Sequence, residues 1–153
     1  MRTAKERSEK MEKILIETYA DLIRQGVLFF SGGYHFDCGA DACTIKYRDR
    51  FGMFLDSSRI KTVRQEKEAV VHEWAHITNN ATYGIDAPPS VRQKAEETAH
   101  RAEIKKLLPF KELRGVIRRG VFQVCELAEY FTVSEDLVRQ AIEYYTGPCG
   151  LTF

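Results

Sequence analysis

The chain is short of several things, and each shortage closes a class of function. Its longest apolar runs, such as Val27-Leu28-Phe29-Phe30, fall far below the roughly 20 residues that a membrane-spanning helix requires. Net charge is nearly absent: 23 Lys+Arg against 22 Asp+Glu leave +1 over 153 residues, so there is no global basic field for nucleic acid or anionic lipid. Cysteine is sparse and irregular. Cys38, Cys43, Cys125 and Cys149 form no Cys-x-x-Cys pair, and reduced thiols are expected. A metal cluster of His35, Cys38 and Cys43 would lack both a helical scaffold and a matching second pair, so free thiols are the preferred reading there. Cys125, among Val121, Phe122, Val124 and Leu127, is expected in the core. The opening residues Met1 to Lys10 are mixed in charge and lack the apolar core of a secretion signal, which predicts a cytoplasmic protein.

What is present reads as one domain over 1–153, of α+β class, mainly helical with a small antiparallel sheet. From about Lys5 to Gln25, Met11, Ile14, Leu15, Thr18, Tyr19, Leu22 and Ile23 recur at three- and four-residue spacing, one face of a helix that Gly26 stops. Short strands follow at Val27–Phe30, Tyr34–Phe36, Cys43–Tyr47 and Met53–Leu55, joined by Gly- and Asp-containing turns. Helical pattern returns from Glu66 to about Asn79. A loop containing Gly84 and the Pro88-Pro89 pair comes next. Ser90-x-x-Gln93 has the form of a capping box opening a helix that Pro109 ends, and further helical pattern runs to about Tyr145 with a break near Thr132.

The chemistry concentrates in Val70-Val71-His72-Glu73-Trp74-Ala75-His76. On a helix, His72 and His76 project from one face a turn apart, so both imidazoles can reach one tetrahedral ion. Glu73 starts the next step round the helix, where it can address a water in the ion's open position. This is the HExxH arrangement of zinc peptidases. The bland alternative is a surface histidine pair with a solvated glutamate. Ala69, Val70, Trp74 and Ala75 argue against it, because a His-His-Glu group on so apolar a helix needs partners to offset desolvation, and a metal supplies them.

Catalytic zinc usually takes three protein ligands. The helix after the proline loop offers Glu96 and Glu97. Glu96 lies nearer the face of Ala95, Ala99 and Ala102, and a short loop makes the two helices antiparallel neighbours. Glu96 is therefore the first choice and Glu97 the reserve, although either could be a solvated acid in an opening turn.

On these residues the chain resembles the ImmA/IrrE family of metallo-endopeptidases, small bacterial and phage proteins. The resemblance covers most of the chain: an N-terminal helix, a short sheet, the His72–His76 motif, and a Glu-x-x-Ala helix reading Glu96-Glu97-Thr98-Ala99-His100 and ending at Leu107-Leu108-Pro109. Aligning Ala99 and Pro109 places Glu96 on the family's metal-binding glutamate. Glu126 to Val138 is similar to the family's C-terminal helices. Two departures stand out: Trp74-Ala75 where members often have Leu-Gly, and His100 where many carry Asn or Asp. His100 is open to three readings, a group orienting a ligand, a competing ligand, or a surface histidine.

The resemblance implies a zincin-like catalytic core over 1–110 and a C-terminal helical segment over 111–153. It implies zinc held by His72, His76 and Glu96, with Glu73 as the general base and acid of peptide hydrolysis. Tyr34, Tyr83 or His100 would be the donor to the oxyanion. The implied substrate is a specific intracellular protein, a helix-turn-helix transcriptional repressor of a mobile element or stress response. Two rival readings remain. Leu127 to Val138 also looks like a DNA-binding helix-turn-helix with Ser134 as cap, but its second helix carries Glu135, Asp136 and Glu143 where phosphates would be met, so direct nucleic-acid binding is not expected. A zinc-holding sensor that cleaves nothing would have no need of Glu73.

Overall fold

A computed structural model describes residues 3–37 and 39–153. Helix α1, Ala4–Arg24, opens on a reciprocal capping box in which Thr3 Oγ1 accepts from Glu6 N–H at 3.2 Å and Glu6 Oε2 accepts from Thr3 N–H at 2.6 Å. It closes where Gly26 turns into the left-handed region at φ 76°, letting Val27 N–H reach back to Leu22 O at 3.0 Å. Leu15, Thr18 and Leu22 form its buried stripe.

Three strands follow: β1 (Leu28–Ser31), β2 (Ala42–Tyr47) and β3 (Arg50–Leu55), in the order β1-β3-β2. The expected antiparallel sheet is therefore mixed, because β2 and β3 form an antiparallel hairpin but β1 runs parallel to β3. The reason is topological. Residues 32–41 carry the chain past the place that β3 later takes, so β3 returns between its two predecessors. The expected strand at Tyr34–Phe36 lies within that crossing segment and has no strand pairing; Phe36 N–H bonds Asp56 Oδ2 instead, at 3.2 Å.

Helix α2, Val63–Thr78, starts three residues before the predicted onset because Thr62 and Gln65 form a second capping box. Helix α3, Pro89–Leu107, does not use the Ser90-x-x-Gln93 box. Pro89 occupies the first helical position, where its missing N–H costs nothing, and no side chain caps the end. Three shorter helices complete the chain: α4 (Phe110–Arg118), α5 (Val124–Phe131) and α6 (Glu135–Thr146). The result is a mixed α/β fold, 56% helical, in which no described helix is long and apolar enough to cross a membrane.

Three groups of buried residues organise the packing. Leu15, Leu22, Met53, Leu55, Val70 and Ile77 join α1, the sheet and α2. Ile104, Leu107, Leu113, Leu127, Val138 and Ala141 join α3 to the C-terminal helices. Between them, Ala75, Ala81, Ala95 and Ala99 make a seam of small side chains that lets α2 and α3 approach closely. Trp74 packs against all three groups and donates from Nε1 to Asp21 Oδ2 at 2.7 Å.

Cys125 departs from expectation. It is exposed, because α5 buries the face of Leu127, Ala128, Tyr130 and Phe131 and turns Cys125 away from it. The chain enters α6 through Thr132, in the left-handed region at φ 55°, and this turn is pinned to α2. Fully buried Lys67 donates from Nζ to Thr132 O at 2.7 Å and to Phe131 O at 3.3 Å. Burial lowers its ammonium pKa to about 8.

Candidate metal centre

Helical spacing places His72 and His76 on one face of α2, and the alanine seam brings α3 alongside. Three donor atoms then converge. His72 Nε2 lies 3.1 Å from His76 Nε2 and 3.3 Å from Glu96 Oε2, and His76 Nε2 lies 3.4 Å from the same oxygen. Donors on a tetrahedral ion at about 2.0–2.1 Å are separated by roughly 3.3 Å, so this triangle fits one divalent ion with a fourth position free. Glu97 is not among these donors; it lines the neighbouring cleft and takes Gln93 Nε2 at 2.9 Å and Arg101 at 3.6 Å.

The imidazoles are held from behind. At the end of α2, Asn80 enters the left-handed region at φ 50°, which turns Ala81 N–H back to His76 O at 2.9 Å. The same turn sets Ala81 O 2.8 Å from His76 Nδ1, so that nitrogen donates and Nε2 keeps its lone pair for the triangle. His72 Nδ1 lies 3.0 Å from Glu103 Oε2, and His100 Nδ1 lies 3.2 Å from that same oxygen. Glu103 was not singled out in the sequence, although its position seven residues beyond Glu96 puts it on the same face of α3 and was a usable signal.

Glu73 is buried, at 8% exposure, and makes no hydrogen bond to a described residue. Its charge reaches both His72 and Tyr83.

Electrostatics follow from this crowding. Burial alone would lower the pKa of His72, but hydrogen bonds to Glu103 and Glu96 outweigh it and lift the imidazole to about 10. Glu96 is held down at about 2, first by its hydrogen bond with His72, against the opposing effect of burial and with help from Tyr83. Tyr83 Oη donates to Glu96 Oε1 at 2.5 Å, which raises the phenol to about 12. Burial works against the Glu103 carboxylate, yet the His100 and His72 contacts keep its pKa below the ordinary range.

A cleft of about 470 Å³ opens beside these groups, with His72, Glu96 and Glu103 on one wall and Ser134, the cap of α6, with Asp136 and Gln140 of that helix on the other. Of the three candidate oxyanion donors, Tyr83 and His100 touch site residues, whereas Tyr34 packs edge-on against Phe54 with centroids 5.1 Å apart. His35 belongs to a separate group. Its Nδ1 lies 3.1 Å from Asp56 Oδ2 and 3.2 Å from Ser58 Oγ. Cys43 is half-buried in β2, and Cys38 lies outside the described residues.

Comparison with family models, with curated proteins and with solved structures returns no match to this chain.

Proposed function

We propose that this chain is a zinc-dependent metallo-endopeptidase of the ImmA/IrrE type with a zincin-like core, acting in the cytoplasm on one specific protein, a helix-turn-helix transcriptional repressor. The observation that carries the reading is the triangle of His72 Nε2, His76 Nε2 and Glu96 Oε2, with sides of 3.1–3.4 Å, with the Glu73 charge acting on His72 beside it. His72, His76 and Glu96 hold the ion, which when bound polarises the scissile carbonyl and acidifies water towards a pKa of about 7. Glu73 takes a proton from the attacking water and returns it to the leaving amine. Tyr83 fixes the second oxygen of Glu96 and so restrains that carboxylate to one donor atom.

Two features of α5 and α6 support substrate docking over duplex binding. The turn between them is tied down, with Glu68 Oε1 accepting from Ser134 N–H at 2.5 Å and Lys67 holding the preceding carbonyls. The start of α6, where a recognition helix would meet phosphates, is a wall of the cleft and carries Asp136.

Metal analysis of the purified protein tests the site. About one zinc per chain is expected, lost in His76→Ala, weakened in Glu96→Gln and retained in Glu97→Gln. Glu73→Gln should keep the zinc but lose cleavage by a factor of about 10²–10⁴. The readout is a new internal protein N-terminus in host cells expressing wild type and absent with the variant. No metal after reconstitution with zinc would overturn the reading. Zinc uptake combined with equal cellular effects of wild type and Glu73→Gln would favour a non-catalytic sensor.

A further inference from the structure

The group formed by His72, His100 and Glu103 lies behind the donor triangle, and one oxygen, Glu103 Oε2, faces both imidazoles at 3.0 and 3.2 Å. We propose that Glu103 is the positioning residue of the site, accepting the Nδ1–H of His72 so that Nε2 faces His76 and Glu96, and that His100 clamps the Glu103 carboxylate in that place. This rests on the metal-site reading above.

A neutral imidazole has one N–H and one lone pair, so a ring that ligates through Nε2 must donate through Nδ1. For His76 the acceptor is the carbonyl of Ala81, supplied by the turn that ends α2. For His72, in the middle of the same helix, no chain-ending turn aims a carbonyl at the ring, and its Nδ1 has no backbone partner among the described residues. A side chain from a neighbouring helix has to serve, and Glu103 does so. Glu103 is itself 6% exposed, and a carboxylate so buried needs donors; the two imidazole N–H groups occupy both lone pairs of Oε2. Glu96, His100 and Glu103 stand at i, i+4 and i+7, so one face of α3 carries a ligand, a clamp and a positioning group.

The same three side chains have donor atoms near enough to hold an ion themselves. Such an ion would need the lone pair of His72 on Nδ1, which excludes ligation through Nε2 by the same neutral ring. The positioning role uses both nitrogens without conflict.

The experiment measures zinc dissociation constants by competition with a chromophoric chelator, and visible spectra of the cobalt(II)-substituted proteins, for wild type, Glu103→Ala, Glu103→Gln and His100→Ala. Far-UV circular dichroism checks folding. Glu103→Ala should bind zinc about 10- to 100-fold more weakly with a shifted cobalt band. Glu103→Gln, whose amide oxygen still accepts from Nδ1–H, should recover much of the affinity and the wild-type band. His100→Ala, which leaves the carboxylate but frees it to rotate, should fall between wild type and Glu103→Ala. If the alanine chain does not fold, a Glu103→Gln chain with the wild-type cobalt band and a His100→Ala chain with weakened binding uphold the proposal. A zinc-binding wild type with an indifferent Glu103→Ala, or a Glu103→Gln no better than alanine, would overturn it while leaving the metal site standing. Two zinc ions per wild-type chain falling to one in Glu103→Ala would overturn it in favour of a second metal. A wild type that takes up no zinc would overturn both readings.

Discussion

Asp56 is fully buried, and what keeps it ionised is a ring of donors: the hydroxyl and N–H of Ser58, the N–H of Phe36 and the ring of His35. The Ser58 hydroxyl does most to hold its pKa at about 2, against the opposing effect of burial. Because the folded pKa lies below the unfolded one, the stabilisation is full above the ordinary carboxylate range and is lost as pH falls from about 4 through about 2. Thermal melts of wild type and Asp56→Asn between pH 7 and pH 2 should show a gap in Tm that is constant down to about pH 4 and closes below it. A gap of equal size at pH 2 would contradict this account. Single residues also show the limits of spacing arguments. Glu96 and Glu97 are adjacent in sequence and differ only in helical phase, which the alanines at 95 and 99 made readable. Asp56 carried no such signal, since its partners come from two loops whose meeting no local pattern encodes.

Among the elements, the end of α2 links backbone conformation to chemistry. Asn80 adopts φ 50°, a region that Asn tolerates and β-branched residues do not, and this conformation aims the Ala81 carbonyl at His76. Asn80→Val should lower stability by about 1–2 kcal/mol in urea titrations and weaken zinc binding, because the turn and the His76 contact fail together. Asn80→Gly should match wild type in both. A valine chain as stable as wild type would show that the left-handed turn is dispensable. The helices themselves were legible from three- and four-residue spacing, with ends misplaced where caps decided them. Thr62 extended α2 towards its N-terminus, and Pro89 replaced the Ser90 box in α3. The sheet was less legible. Strand residues signal extended chain, but pairing partners and direction depend on the path of residues 32–41, which is why an antiparallel expectation met a mixed sheet.

Across the whole molecule, the buried hydrophobic clusters close without the proposed ligand residues. Leucine, valine and aromatic side chains supply them, while His72, His76 and Glu96 sit at the edge of the alanine seam. Chelation should therefore leave the far-UV circular dichroism unchanged. Added zinc, at about a hundredfold excess over its Kd, should raise Tm by roughly 5–10 °C through mass action. Loss of helical signal with chelator would instead mark the ion as part of the fold.

The local sequence by itself determined the helical face that carries His72, Glu73 and His76, and the small-residue stripe that admits a second helix, because both follow from the fixed period of the α-helix. Only the tertiary structure decided that Glu103 backs His72, that the turn before α6 is tied to Lys67 and Glu68, and that β3 lies between β1 and β2. The contacts of Glu103, Lys67 and Glu68 and the pairing of β1 with β3 join residues from 24 to 66 positions apart. They arise from how whole elements pack, and no periodicity within one element records them.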